Sequence, residues 1–284
     1  MNVKPQKASF QQYSKRDFKK DLPTRQNSDH KGRGGKCLII AGSRGMWGAS
    51  ALCAEAASRV GAGYVYLRGI SEANFSLKHP DFLTLPPNQK IQWSMYEAFA
   101  IGPGLKGRPR YIMQMLKYFL QEKKPVVLDA EALNVLAQQK SWKKFPSNWI
   151  MTPHEGELAR LLKVPSAKIH AHRQKYVLQA QQQFGCVVLL KGYQTLIASP
   201  EGFWQIRAGN PSLAKAGTGD VLTGIIVGLL SQKIAPSVAA CMGACLHGVI
   251  ADEWVKTKDI LSLMASDLIK ALPETLFQIR KNKL

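Results

Sequence analysis

The chain has 284 residues, a formal net charge of +20 and 45% hydrophobic residues. That length and apolar content fit one large or two ordinary globular domains and exclude a disordered protein. The longest apolar runs, Val221 to Leu230 and Val238 to Ala251, fall short of the roughly 20 residues that cross a bilayer, so no membrane span is expected.

The N-terminal stretch MNVKPQKASFQQYSKRDFKK lacks the apolar segment of a signal peptide, which leads to the expectation of a cytoplasmic protein. Residues 1–29 read as a basic arm, partly ordered and partly disordered, and residues 30–284 as a single domain. A surface this basic attracts anions in general, whether nucleotides, RNA or acidic lipids. The charge is scattered, without the aromatic-and-basic signature of an RNA-binding module, so anionic small molecules are the expected partners rather than a specific nucleic acid or a membrane. The odd count of five cysteines, at irregular spacing within apolar segments, argues for buried packing over a disulfide framework. A metal site from Cys241, Cys245 and the nearby His247 is the lesser reading.

In chain order, short apolar runs alternate with amphipathic stretches: KCLIIAG and then Ala49 to Val60, YVYL, AFAIG and then Tyr111 to Leu120, PVVLDA and then Glu131 to Gln138, WIM, and CVVLLKG. This pattern predicts an α/β fold with a central, mostly parallel sheet, since strands buried on both faces read as unbroken Val/Ile/Leu runs. TLIASP and FWQIRAG predict a late hairpin across Pro200-Glu201-Gly202, after which the chain is nearly all helix.

In open α/β sheets, chemistry collects at the carboxyl ends of strands. The residues there are Ser43-Arg44-Gly45-Met46-Trp47-Gly48-Ala49, Gly102-Pro103-Gly104, Asp129, Thr152-Pro153-His154-Glu155, Lys191-Gly192, and the AGTGD of 216–220 after the hairpin. Gly102, Gly104 and Gly107 match G-x-G-x-x-G, with Asp129 ending the next strand, which keeps a Rossmann-type NAD oxidoreductase as an alternative. Pro103 and Pro109 stiffen that turn, however, and the reading leaves AGTGD and TPHEGE unexplained. Thr152 as N-cap, Pro153 at the first helical position and Glu155 form a capping box that accounts for everything there except His154. Lys191 to Thr195 would serve as a tight connection with a solvated lysine, unless it binds a ligand.

Gly217 and Gly219 cost backbone entropy and are worthwhile where backbone must approach a ligand. A glycine turn at a helix N-terminus is an anion site. A carboxylate within it, Asp220, opposes phosphate binding and is therefore suited to deprotonating an attacking hydroxyl beside the phosphate.

Taken in order, AGSRGMWGAS, IGPGL, VLDAEALNVL, TPHEGELARLL, LLKGYQTLIAS and NPSLAKAGTGDVLTGII strongly resemble the ADP-dependent NAD(P)H-hydrate dehydratases of the ribokinase-like superfamily. The resemblance runs from about His30 to the C-terminus. It implies a three-layer α/β/α fold and repair of hydrated NADH or NADPH: the S epimer's added hydroxyl is phosphorylated from ADP, phosphate leaves, and AMP is released. By the same resemblance Asp220 is the base; Ala49, Gly104, His154 and Asp220 line the hydrate site; and Lys191, Gly192, Tyr193, Gln194, Thr195, Gly217, Thr218 and Gly219 line the nucleotide site. Asn210 is a phosphate or metal neighbour, and Mg²⁺ is bound mainly through phosphates and water, with no direct protein ligand assigned. The resemblance further implies a homotetramer and a separate epimerase, since the residues before the similarity are too few to hold one. Lys106, Trp47 and Ser212 depart from the family's usual residues and bear on the pocket's shape. A small-alcohol kinase of the same superfamily, acting on a vitamin precursor, is the nearest alternative; a non-catalytic nucleotide- or RNA-binding protein rests on charge alone.

Overall fold

Successive residues of each central strand enter two different cores. In Lys36–Ile40 (β2), Cys37 and Ile39 pack on one side of the sheet and Leu38 and Ile40 on the other; in Ala98–Ile101 (β5), Ala98 and Ala100 oppose Phe99 and Ile101. Both faces are covered, so neither strand shows a polar alternation. The computed structural model describes residues 9–69, 81–86, 88–140, 142 and 144–283.

The other strands are Gln11–Gln12 (β1), Tyr64–Arg68 (β3), Leu83–Thr84 (β4), Val126–Leu128 (β6), Trp149–Met151 (β7), Val187–Leu190 (β8), Leu196–Ser199 (β9) and Gly202–Gln205 (β10). Their order across the sheet is β1-β10-β9-β8-β7-β6-β5-β2-β3-β4. From β8 through β4 every pairing is parallel, while β8–β9 and β9–β10 are antiparallel. The late hairpin is therefore present, with Ser199 opposite Gly202. Because β2 leads outward to β3 and β5 leads the other way to β6, the chain reverses its direction of winding between β2 and β5. Such a reversal opens a crevice beyond the strands' carboxyl ends.

The helices are Lys15–Asp21 (α1), Trp47–Arg59 (α2), Pro109–Glu122 (α3), Glu131–Ala137 (α4), Glu155–Leu162 (α5), Ser166–Ala171 (α6), Arg173–Phe184 (α7), Thr218–Ser231 (α8), Pro236–Trp254 (α9) and Ala265–Arg280 (α10). One face of the sheet carries α1, α2 and α8–α10, and the other carries α3–α7, giving the three-layer α/β/α architecture. Helices α2 and α8 touch almost backbone to backbone. A Cβ on Gly224 would fall 2.1 Å from the Cys53 carbonyl oxygen, and one on Gly228 would fall 2.7 Å from that of Ala57. The steps from Cys53 to Ala57 and from Gly224 to Gly228 are equal, so the helices run parallel and in register.

Residues 1–8 of the expected basic arm lie outside the described residues. From residue 9 the segment packs onto the domain. β1 joins the sheet parallel to β10, pairing Gln11 with Trp204 and Gln12 with Gln205. Helix α1 is closed by a Ser14/Asp17 capping box and buries Phe18 completely against the α9 side of the core. The reason is local: amid the lysines, Tyr13, Phe18 and Leu22 supply one buried stripe, and a cap starts the helix.

Candidate active site

Gly217 begins α8 with φ of 90°, and a Cβ there would meet Leu52 Cδ1 at 2.8 Å and Ala265 Cβ at 3.0 Å, so conformation and space both require glycine. The Thr218 hydroxyl turns inward, bonding to the carbonyl oxygens of Leu213 (2.8 Å) and Lys215 (2.9 Å), and thus closes the turn rather than facing a ligand. Val221 N–H donates to the Gly217 carbonyl. The N–H groups of Gly219 and Asp220 have no acceptor among the described residues. They are the free donors of a helix's first turn, aimed where an anion binds well.

Asp220 stands in that turn with its pKa pushed up to about 7, first by burial and second by the charge of Asp129, with Lys191 pulling the other way. The Lys191 ammonium lies 2.8 Å from Asp129 Oδ1 and 3.8 Å from Glu157 Oε2. Burial would lower its pKa, but the two carboxylates together raise it, so it is charged. It also lies against Gly219, where a Cβ would come within 3.5 Å of Nζ. The second oxygen of the buried Asp129 accepts the Thr223 hydroxyl at 2.8 Å. Both Asp129 oxygens are thus engaged inside the protein, so this residue is not offered to a ribose as the dinucleotide-fold reading required. Lys191 is correspondingly not the solvated lysine of a plain connection.

At the β2/β5 reversal, Ser43 Oγ donates to the Gly104 carbonyl (2.7 Å) and Gly42 N–H to that of Pro103 (2.8 Å), tying the two loops together. Gly104 has φ of 64°, and a Cβ there would lie 2.9 Å from the Met46 carbonyl oxygen and 3.0 Å from Ala49 Cβ. Ala49 and Gly104 therefore meet. Ala49 is four residues before Cys53 on α2 and Asp220 four before Gly224 on α8, so the parallel register sets Ala49 and Asp220 level at the two helix starts. Among the three departures, Lys106 is exposed, Trp47 is half-buried at the start of α2, and Ser212 is buried.

The expected cap at Thr152 is displaced by two residues. Thr152 is fully buried at the end of β7, its hydroxyl bonded to the Leu128 carbonyl, and the N-cap is His154. His154 Nδ1 accepts from Gly156 N–H (3.0 Å) and Glu157 N–H (3.4 Å), and Glu157 Oε2 accepts from His154 N–H at 2.8 Å. A ring nitrogen thus fills the place of a capping hydroxyl, and the ring hydrogen is left on Nε2. The same Glu157 reaches Lys191, joining the α5 cap to the lysine–aspartate pair.

Residues 191–195 form a turn with Gly192 at φ 128° and Gln194 at φ 53°. The Arg173 guanidinium holds it from below, donating to the carbonyl oxygens of Lys191 (3.1 Å), Leu190 and Gln194 (3.4 Å each) and Tyr193, while its Nε pairs with Glu155 at 3.0 Å. Thr195 Oγ1 donates to the Gly192 carbonyl, Gln205 donates to the Gln194 side chain, and Tyr193 projects 75% exposed. Asn210 is engaged within the protein: its amide nitrogen donates to Asp252 Oδ1 and its oxygen accepts from Ser212 N–H, both at 3.0 Å. His247, buried with its pKa pushed down to about 4 by burial, is neutral and donates from Nε2 to the Thr218 carbonyl. All five cysteines are buried thiols. Sequence reasoning missed Glu157, Thr223 and Arg173. The visible signal was that Asp129 and Lys191 each follow a fully buried strand, with only β7 between those strands in the sheet.

The family model for NAD(P)H-hydrate dehydratase matches residues 37–274. The chain is 40% identical over 272 residues to the bifunctional NAD(P)H-hydrate repair enzyme of Vibrio cholerae, covering 90% of this chain and 52% of that one, so it spans about half the length of such relatives. It is 37% identical to the ADP-dependent (S)-NAD(P)H-hydrate dehydratase of Neisseria meningitidis, covering 87% of this chain and 86% of the relative. A crystal structure of the Bacillus subtilis ADP/ATP-dependent NAD(P)H-hydrate dehydratase, co-crystallised with ATP and Mg²⁺, superposes with a TM-score of 0.86 at 32% identity, covering 96% of this chain and 99% of that one. A domain-long match in sequence and fold, with a glycine turn, a raised carboxylate and a strand-end crevice in one place, makes this chain a member of the NAD(P)H-hydrate dehydratase family.

Proposed function

We propose that the chain is an ADP-dependent (S)-NAD(P)H-hydrate dehydratase that restores NADH or NADPH from the hydrate. The observation that carries this is Asp220: a carboxylate held near pKa 7 beside the free amides of Gly219 and Asp220, level with the crevice at Ala49 and Gly104. The Asp220 carboxylate takes the proton of the hydrate hydroxyl as that oxygen attacks the β-phosphorus of ADP, and the bond to AMP breaks. The phosphoester then loses phosphate from C6, pushed by the ring nitrogen's lone pair, and the ring iminium so formed gives up a C5 proton to solvent, which restores the 5,6 double bond. In sum, hydrate and ADP give NAD(P)H, AMP and phosphate. The Gly219 and Asp220 amides and Lys191 stabilise charge on the phosphoryl group in transit. The exposed turn at Gly192–Thr195 receives the nucleotide, and His154 borders the hydrate.

Among the described residues no group of three or more His, Cys, Asp or Glu could hold a metal ion. Mg²⁺ in this reading is bound by the phosphates and water and neutralises phosphoryl charge. Asn210, with both polar atoms already bonded, would act there only through rearrangement. No helix among the described residues is long and apolar enough to cross a membrane. A cytoplasmic homotetramer working together with a hydrate epimerase activity completes the proposal, supported by the family resemblance.

The test is to incubate the chain with the S hydrate, ADP and Mg²⁺ while following the dihydronicotinamide absorbance. The expected result is recovery of that absorbance with AMP and phosphate formed in equal amounts. A stable phosphoester product would instead establish a small-alcohol kinase, and equal or better turnover with purified ATP would refute the assignment of ADP as donor.

A further inference from the structure

The crevice at the β2/β5 reversal carries charge that the chemistry at Asp220 does not use. Arg44 follows Ser43, and Lys106 lies two residues past Gly104; these are the loops joined by the Ser43–Gly104 hydrogen bond. Arg108 and Arg110 continue the second loop into α3. All four are exposed, and none has an ion-pair partner among the described residues. Residues 41–54 and 101–121, which span the two loops and most of the helices they enter, contain no Asp or Glu; the first acids come at Glu55 on α2 and at Glu122, the last residue of α3. The second loop is also anchored: Leu105 is buried, and the Pro103 carbonyl accepts from Gly42 N–H at 2.8 Å.

Like charges gathered on anchored loops repel one another, and the repulsion is relieved only by an anion from outside. Arginine forks suit phosphate oxygens, and a phosphomonoester carrying about −1.5 to −2 charge at neutral pH suits several cations at once. With the hydrated ring at Ala49, Gly104 and Asp220, the loops that carry Arg44 and Lys106 flank the ring, so this rim lies within reach of the non-reacting remainder of the dinucleotide. Resting on the functional reading above, we infer that Arg44, Lys106, Arg108 and Arg110 form a phosphate subsite for the substrate's non-reacting half. The phosphate is either the 2′-phosphate that only the NADPH hydrate carries or the pyrophosphate common to both hydrates.

The experiment measures KM for NADPH hydrate, NADH hydrate and ADP in the wild type and in Lys106→Ala, Arg108→Ala and the double variant. These side chains are exposed, so the fold is retained. Losing a charge-assisted phosphate contact raises KM on the order of ten-fold. A rise in the NADPH-to-NADH ratio of KM values supports the subsite and identifies the 2′-phosphate; equal rises for both hydrates support it and identify the pyrophosphate. Unchanged KM for both hydrates, or a rise confined to ADP, overturns it. Should the wild type fail to restore NAD(P)H, the functional reading falls, and the subsite is then decided by fluorescence titration of NADPH and NADH into the wild type and the double variant: weaker binding of either cofactor by the variant supports it, and the same affinities in variant and wild type refute it.

Discussion

Asp220→Asn separates a catalytic carboxylate from a helix-capping one, because the two roles predict stability changes of opposite sign. Burial, and then the charge of Asp129, push the folded carboxyl group up to about 7 from its ordinary 3.8. A carboxylate raised on folding contributes stability below the unfolded pKa that is lost as pH rises through the folded pKa. The loss therefore develops between about pH 4 and 7. Three units at about 1.4 kcal/mol each give an upper bound of about 4 kcal/mol, reduced in practice because water reaches part of the group. Asparagine does not titrate, so the variant should match the wild type most nearly at pH 4 and gain on it toward pH 8, where its midpoint should lie several degrees higher. Turnover should fall about 10²- to 10⁴-fold for loss of the general base, with ADP affinity unchanged or tighter because a negative charge beside the phosphates is gone. Thermal melts across pH, turnover, and ADP titration on one preparation check all three. A capping carboxylate predicts instead a variant about 1 kcal/mol less stable at pH 8 with turnover intact, and that result would refute the reasoning.

Lys191→Met should destabilise the fold by about 3–5 kcal/mol in denaturant melts, since it strands the buried Asp129 and Glu157 carboxylates. Because Lys191 lowers the Asp220 pKa, the acid limb of any residual pH–rate profile should move to higher pH. Thr223→Val removes the hydroxyl bonded to Asp129 and should cost about 1–3 kcal/mol by urea melts, with the side chain's volume nearly kept. Phe18→Ala empties a fully buried aromatic site and should loosen the N-terminal segment by about 3–5 kcal/mol, read as faster proteolysis near residues 9–29.

The parts of this protein legible in its sequence are those governed by neighbouring residues. Runs such as AFAI and VVLL declare strands buried on both faces, and Pro200-Glu201-Gly202 declares the hairpin. The glycine turn at Gly217 is likewise written in adjacent letters. What was not legible depends on distant partners. Lys191 and Asp129 are 62 residues apart, and Thr223 is 94 from Asp129, so no periodicity links them; only the sheet order brings them together. The His154 cap was misplaced because imidazole is a rare substitute for a capping hydroxyl, and Thr152-Pro153 offered a more familiar one. In the N-terminal segment, the lysines that dominate its composition concealed a single well-buried phenylalanine.

The contact of α2 with α8 also bears on where motion can occur during turnover. Gly224 and Gly228 bring the two helix backbones together with Ala56 Cβ and Val60 Cγ2 packed beside the contact, which resists one helix sliding past the other. Asp220 and Ala49 are each one turn, about 6 Å, from the Gly224–Cys53 contact, and so they travel as one piece. The spacing between Asp220 and Ala49 is thus set when the chain folds, before any ligand arrives. Movement near the site is left to the turn at 191–195, whose Lys191, Tyr193 and Gln194 carbonyls are gathered by the guanidinium of Arg173.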